Sequence, residues 1–123
     1  MPVSTNPVSI NGNVEVHVDQ AVTLEQEFHV SGPSTGVARV VVDPGATLTL
    51  TTTNTDQLAF SVGPRAELVN NGTLRVLGRI DFRINGPTAT LRNEGTLALG
   101  DGSDVPFMRV STGALLINNA HID

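Results

Sequence analysis

Apolar and polar residues alternate along most of this chain with a period of two. Val14, Val16 and Val18 alternate with Glu15, His17 and Asp19, and Ala46, Leu48 and Leu50 with Thr47, Thr49 and Thr51. Ile80, Phe82 and Ile84 alternate with Asp81 and Arg83 in the same way. Alternation at this period gives a strand one face for a core and one for water. Shorter apolar runs lie at 22–24, 28–30, 37–42, 58–62 and 74–76. Breakers separate them: Ser31-Gly32-Pro33-Ser34-Thr35-Gly36, Asp43-Pro44-Gly45, Gly63-Pro64, Gly86-Pro87 and Gly100-Asp101-Gly102-Ser103-Asp104. No segment sustains a 3.6-residue apolar period, so the pattern predicts an all-β chain with essentially no helix.

The alternation is organised by an internal repeat. Ala66, Leu68, Asn70, Gly72, Thr73 and Leu74 recur 23 residues later as Ala89, Leu91, Asn93, Gly95, Thr96 and Leu97. A looser copy follows at Ala114, Leu116, Asn118, Ala120 and Ile122. Self-similarity at this spacing marks a solenoid, in which each repeat buries its apolar face by stacking on its neighbours. Three short strands per repeat, joined by Gly, Asn and Pro corners, predict a short right-handed parallel β-helix of about 23 residues per coil. Four or five coils at the inter-strand spacing make a prism about 20–25 Å tall. Leu68, Leu91 and Leu116 are expected in one buried column. Asn70, Asn93 and Asn118 form another, at a bend where Asn tolerates left-handed backbone and its amide bonds along the stack. Phe107 and Val110 are expected to return to the core before the last copy. Residues 1–12, with Pro2, Pro7 and the Asn11-Gly12 turn, read as an extended N-terminal arm, and residues 13–123 as the β-helix domain.

Composition agrees with a narrow repeated interior. Of the 123 residues, 39% are hydrophobic but only 3% aromatic, with no Trp, Tyr or Cys. The net charge of −5 lies in the first half: Glu15, Asp19, Glu25, Glu27, Asp43 and Asp56 face only Arg39 there, whereas acids and arginines balance beyond residue 60. An acidic chain almost without stacking aromatics is no nucleic-acid binder. No apolar run is long enough for membrane insertion. The opening Met-Pro-Val-Ser-Thr-Asn-Pro has neither the basic nor the apolar region of a signal peptide.

At Leu68-x-Asn70-x-Gly72-x-Leu74 and Leu91-x-Asn93-x-Gly95-x-Leu97, the chain resembles the coils of filamentous-haemagglutinin-type and autotransporter passenger β-helices. The resemblance implies the β-helix fold. By size and style the chain also resembles a phage capsid decoration protein or fibre module.

Candidate chemistry is sparse. Asn54-Thr55-Asp56 matches one element of the polygalacturonase type, but the paired Asp, Gly-His-Gly and Arg-x-Lys elements are absent, and the chain contains no Lys. Asp81, Asp101 and Asp104 are too scattered in the repeat frame to ligate a hard cation. His17, His29 and His121 lie on different coils without metal-ligand spacing. The expectation is therefore no catalytic residue, no cofactor and no metal site. Arg75, Arg79, Asp81 and Arg83 form a candidate patch, for an anionic partner or an inter-subunit salt-bridge strip. Thr47, Thr49, Thr51, Thr52 and Thr53 raise an ice-binding solenoid, disfavoured because the threonines do not recur coil by coil in the repeat frame. A short solenoid must cover its end strands and exposed core. The leading expectation is a non-enzymatic homo-oligomeric structural protein, a homotrimer on a virion surface acting as capsid decoration, cement or fibre. Val3, Val8 and Ile10 would anchor the arm on another chain or on a capsid protein. The alternatives are a glycan-binding or adhesive β-helix and a pectin-active polysaccharide lyase or hydrolase.

Overall fold

The computed structural model describes residues 8–25, 27–33, 35–51, 58–78, 80–100, 107–111 and 113–122. Val3, Arg79, the Asn54-Thr55-Asp56 element, Asp101 and Asp104 lie outside the described residues. Among the described residues the chain makes five passes of three strands each. They are β1 (Val8–Asn11), β2 (Glu15–Val18) and β3 (Ala21–Leu24); β4 (Phe28–Ser31), β5 (Ala38–Val42) and β6 (Thr47–Leu50); β7 (Leu58–Val62), β8 (Ala66–Asn70) and β9 (Thr73–Val76); β10 (Ile80–Ile84), β11 (Thr90–Asn93) and β12 (Thr96–Leu99); and β13 (Phe107–Val110), β14 (Leu115–Asn118) and β15 (His121–Ile122).

Every pairing is parallel and joins one pass to the next. Three five-stranded sheets result: the first holds β1, β4, β7, β10 and β13, the second β2, β5, β8, β11 and β14, and the third β3, β6, β9, β12 and β15. This is a parallel β-solenoid with passes roughly 25 residues apart. No helix occurs among the described residues. The spacing is uneven. Asn70 and Asn93 are 23 residues apart, but His29 and Ser61, on adjacent strands of the first sheet, are 32 apart. Corner loops absorb the difference, and the strand register stays intact.

The core is a set of vertical columns. Val40, Leu68 and Leu91 stack in the second sheet, and Leu48, Leu74 and Leu97 in the third, all buried. Leu116 continues the first of these columns opposite Leu91, but remains 37% exposed. In the first sheet Phe28, Phe60 and Phe82 form a ring stack, with centroids 4.9 and 4.7 Å apart. The asparagine column is continuous. Asn70 Nδ2 donates to Asn93 Oδ1 at 2.8 Å, and Asn93 Nδ2 to Asn118 Oδ1 at 2.9 Å. Asn70 Nδ2 also reaches the Thr96 carbonyl at 2.7 Å, so the ladder ties the second sheet to the third at their corner. The residue opposite Asn70 on the preceding pass is Val42, which offers no side-chain donor, and Asn70 Oδ1 has no hydrogen-bond partner among the described residues.

The repeated glycine of the Asn-x-Gly-Thr-Leu element has a steric cause. A Cβ on Gly95 would meet the Gly72 carbonyl oxygen at 2.1 Å, because passes stack backbone on backbone at this corner. The corner that opens the second sheet uses left-handed backbone instead. Arg65, Thr88 and Gly113 hold the equivalent position before Ala66, Ala89 and Ala114, with φ of 55°, 63° and 85°. A β-branched residue there is strained. Thr88→Gly is therefore expected to stabilise the fold by about 1 kcal/mol, the left-handed penalty less the entropy glycine adds to the unfolded chain. Chemical denaturation checks it; a loss of stability would contradict the strain.

Part of the expected arm joins the stack, while residues 1–7 lie outside the described residues: Val8 and Ile10 pair with Phe28 and Val30, and Ile10 packs half-buried against the core. The Val8-x-Ile10 alternation outweighs the flanking proline, so residues 8–11 are the first strand of the solenoid. In strand register Phe107 pairs with Asp81, Met108 with Phe82 and Val110 with Ile84. Val110 is in the core column as expected, yet 45% exposed.

Candidate functional site

Two regions gather chemistry on the outside of the solenoid. The first is a charge network on the second sheet. Glu15, Arg39 and Glu67 are stacked in register on β2, β5 and β8. Arg39 Nη1 donates to Glu15 Oε1 at 3.2 Å, and Arg39 Nε to Glu67 Oε1 at 2.9 Å. His17 lies beside Glu15, with Nε2 2.8 Å from Glu15 Oε2 and Nδ1 2.8 Å from Asp43 Oδ1. Asp43 and then Glu15 raise the His17 pKa above its ordinary value. His17 and then Arg39 lower that of Glu15. Beside the network, Asn13, Val14, Glu15, Val37 and Arg39 line an open hollow of about 320 Å³. Arg39, the cation among the described residues lining the hollow, is already held by two carboxylates. The spacings of these residues differ from the repeat period, and only the alternation Val14-Glu15-Val16-His17 hinted that they share a face.

The second region is the last pass. Val110, Leu116 and Ile122 continue buried columns but are 45%, 37% and 38% exposed, and Leu115 on the outward side is 56% exposed. Among the described residues, β13, β14 and β15 each pair with one neighbour. At the other end Val14, Val16 and Val37 are exposed.

Of the described members of the candidate arginine patch, Arg75 lies on a different sheet from Asp81 and Arg83. Arg75 lies exposed on β9 of the third sheet, while Asp81 and Arg83 lie on β10 of the first. Asp81 is buried beneath two arginines: Arg83 Nε donates to its Oδ2 at 2.7 Å, and Arg109 Nε lies 3.4 Å from its Oδ1. Asp81 raises the Arg83 pKa in turn. This is an intrachain salt-bridge strip, and Arg109 is the member that sequence reading missed. Its partner Asp81 lies one pass earlier in the chain and is found only through the register Arg83–Arg109.

The three histidines lie on three separate sheets. His29 Nδ1 lies 2.6 Å from Ser61 Oγ, within an outward column that continues through Arg83 and Arg109. No carboxylate among the described residues orients the far side of that imidazole, as a nucleophile–base pair requires. His121 stands opposite Thr96 on β15. Among the described residues no group of three or more His, Asp or Glu side chains is placed to hold a metal ion. The threonines recur more than the sequence suggested. Thr47, Thr73 and Thr96 stack on successive passes of the third sheet. The neighbouring column begins Thr23, Thr49 but then runs into Arg75 and Ala98, so a rank two threonines wide exists only on β6.

No family model, curated protein or solved structure matches this chain. Its fold is therefore assigned from its own strand pairing.

Proposed function

We propose that the chain is a non-enzymatic structural module that works as a homo-oligomer. A trimer is the expected state, and a virion surface the expected setting, as capsid decoration, cement or fibre protein. Its partners would be further copies of itself and a capsid or other structural protein. The observation that carries the reading is the last pass, where Val110, Leu116 and Ile122 are half-open although they extend columns that are fully buried one pass earlier. Apolar side chains beside unpaired strand edges are a docking surface for further strands. A second copy supplies strands of matching pitch and apolar columns of its own. The chain's resemblance in size and style to phage capsid decoration and fibre modules supports the same class.

Sedimentation velocity tests it. The wild-type chain should run as a stable oligomer of the 12.9 kDa protomer. Leu116→Asp, which places a charge at the exposed end of the column, should shift it to monomer with unchanged circular dichroism. A wild-type monomer across the micromolar to millimolar range would overturn the reading.

A further inference from the structure

We propose that His17 is a pH-sensitive latch that holds the first pass of the solenoid to the second. The inference stands apart from the assembly reading. It rests on the two contacts of one imidazole, each ring nitrogen lying 2.8 Å from a different carboxylate, Asp43 and Glu15. A neutral imidazole has one N–H and one lone pair, and the lone pair cannot face a carboxylate favourably. Only the imidazolium donates at both ends. The geometry therefore selects the protonated form.

The latch crosses passes. Glu15 and His17 lie on β2, and Asp43 lies at the corner that follows β5. Through Glu15 the network continues to Arg39 on β5 and Glu67 on β8. Those are the charged groups facing His17 from the packed elements; directly opposite it in register is Val41, and Asp19 is the next charge along the chain. Among the described residues no strand lies on the outer side of β2. With His17 protonated, three carboxylates face two cations. With it neutral they face Arg39 alone, and one carboxylate meets an imidazole lone pair.

The sign of the pH dependence follows. Raised above its ordinary 6.5, the His17 pKa makes the latch fully effective below 6.5 and lost as pH rises through the folded-state value. Lowered below its ordinary 4.5, the Glu15 pKa makes its share present above 4.5 and lost as pH falls through the folded-state value. The latch is complete between those two ordinary values. Ion pairs this exposed contribute little to global stability, so the effect is local opening of an edge pass.

The test combines imidazole titration by NMR with amide exchange of β2, read against β8 in the same sample to cancel the intrinsic pH dependence of exchange. His17 should titrate above 6.5. The protection of β2 relative to β8 should fall several-fold between about pH 5.5 and about pH 8.5, the range in which imidazole gives up its proton. His17→Gln should give the low ratio at both pH values. Asp43→Asn should bring the His17 midpoint down. A His17 midpoint at or below 6.5 would overturn the latch. So would a β2 to β8 ratio that does not change with pH, or a His17→Gln variant that keeps the wild-type pH dependence.

Discussion

Phe60→Ala is expected to lower the stability of the fold by about 3–5 kcal/mol, the range for removing a buried phenylalanine side chain. Phe60 is the middle ring of three, buried, with Phe28 at 4.9 Å on one side and Phe82 at 4.7 Å on the other. Its removal breaks both ring contacts, each worth about 0.5–1.5 kcal/mol beyond area burial. The gap lies in the centre of the first sheet, where neighbouring passes are fixed by backbone pairing and cannot collapse into it. Guanidinium or urea unfolding followed by circular dichroism measures the loss. A change below about 1 kcal/mol, the level of a surface substitution, would mean that the rings are not the core of that sheet.

Leu91→Ala should cost about 2–5 kcal/mol for the same reason in the second sheet. Leu91 is fully buried between Leu68 and Leu116. Leu116→Ala provides the internal comparison. It removes the same atoms from the same column, but at a position already 37% exposed, so less transfer energy is lost and no closed cavity forms. The expected order is Leu91 well above Leu116. Equal losses would mean that Leu116 is covered to the same degree in solution as Leu91, which is also what a tightly associated oligomer at the working concentration would give. Measuring the pair at two protein concentrations separates these cases, since only association makes the Leu116 value concentration-dependent.

The parts of this architecture that repeat at a constant interval were readable in the sequence. Leu68 to Leu91 and Asn70 to Asn93 keep a single period, and their alignment predicted both the columns and the asparagine ladder. Where corner loops differ in length, the period is lost although the stacking is not. Phe28, Phe60 and Phe82 stand in one column, yet the first interval contains two long corners and the second contains none, so no fixed period links them. The charge network was hidden for the same reason. Glu15 and Arg39 are 24 residues apart and Arg39 and Glu67 28 apart, which only the pairing of β2, β5 and β8 brings together. Arg75 and Arg83, close in sequence, are separated by a corner that sends them to different sheets, whereas Asp81 and Arg83 stay together in one ion pair.

The assembly reading makes one prediction that needs no substitution. The amides of β14, an edge strand among the described residues, should exchange more slowly as protein concentration rises, because association pairs or covers them. The amides of β8, in the centre of the same sheet, should exchange at a rate independent of concentration. Hydrogen exchange resolved to these two strands, measured from a few micromolar to near-millimolar protein, is the most direct observation of what the last pass does in solution. Protection of β14 that grows with concentration while β8 stays constant is the predicted result. Exchange at β14 that is the same at every concentration would contradict a self-associating structural module.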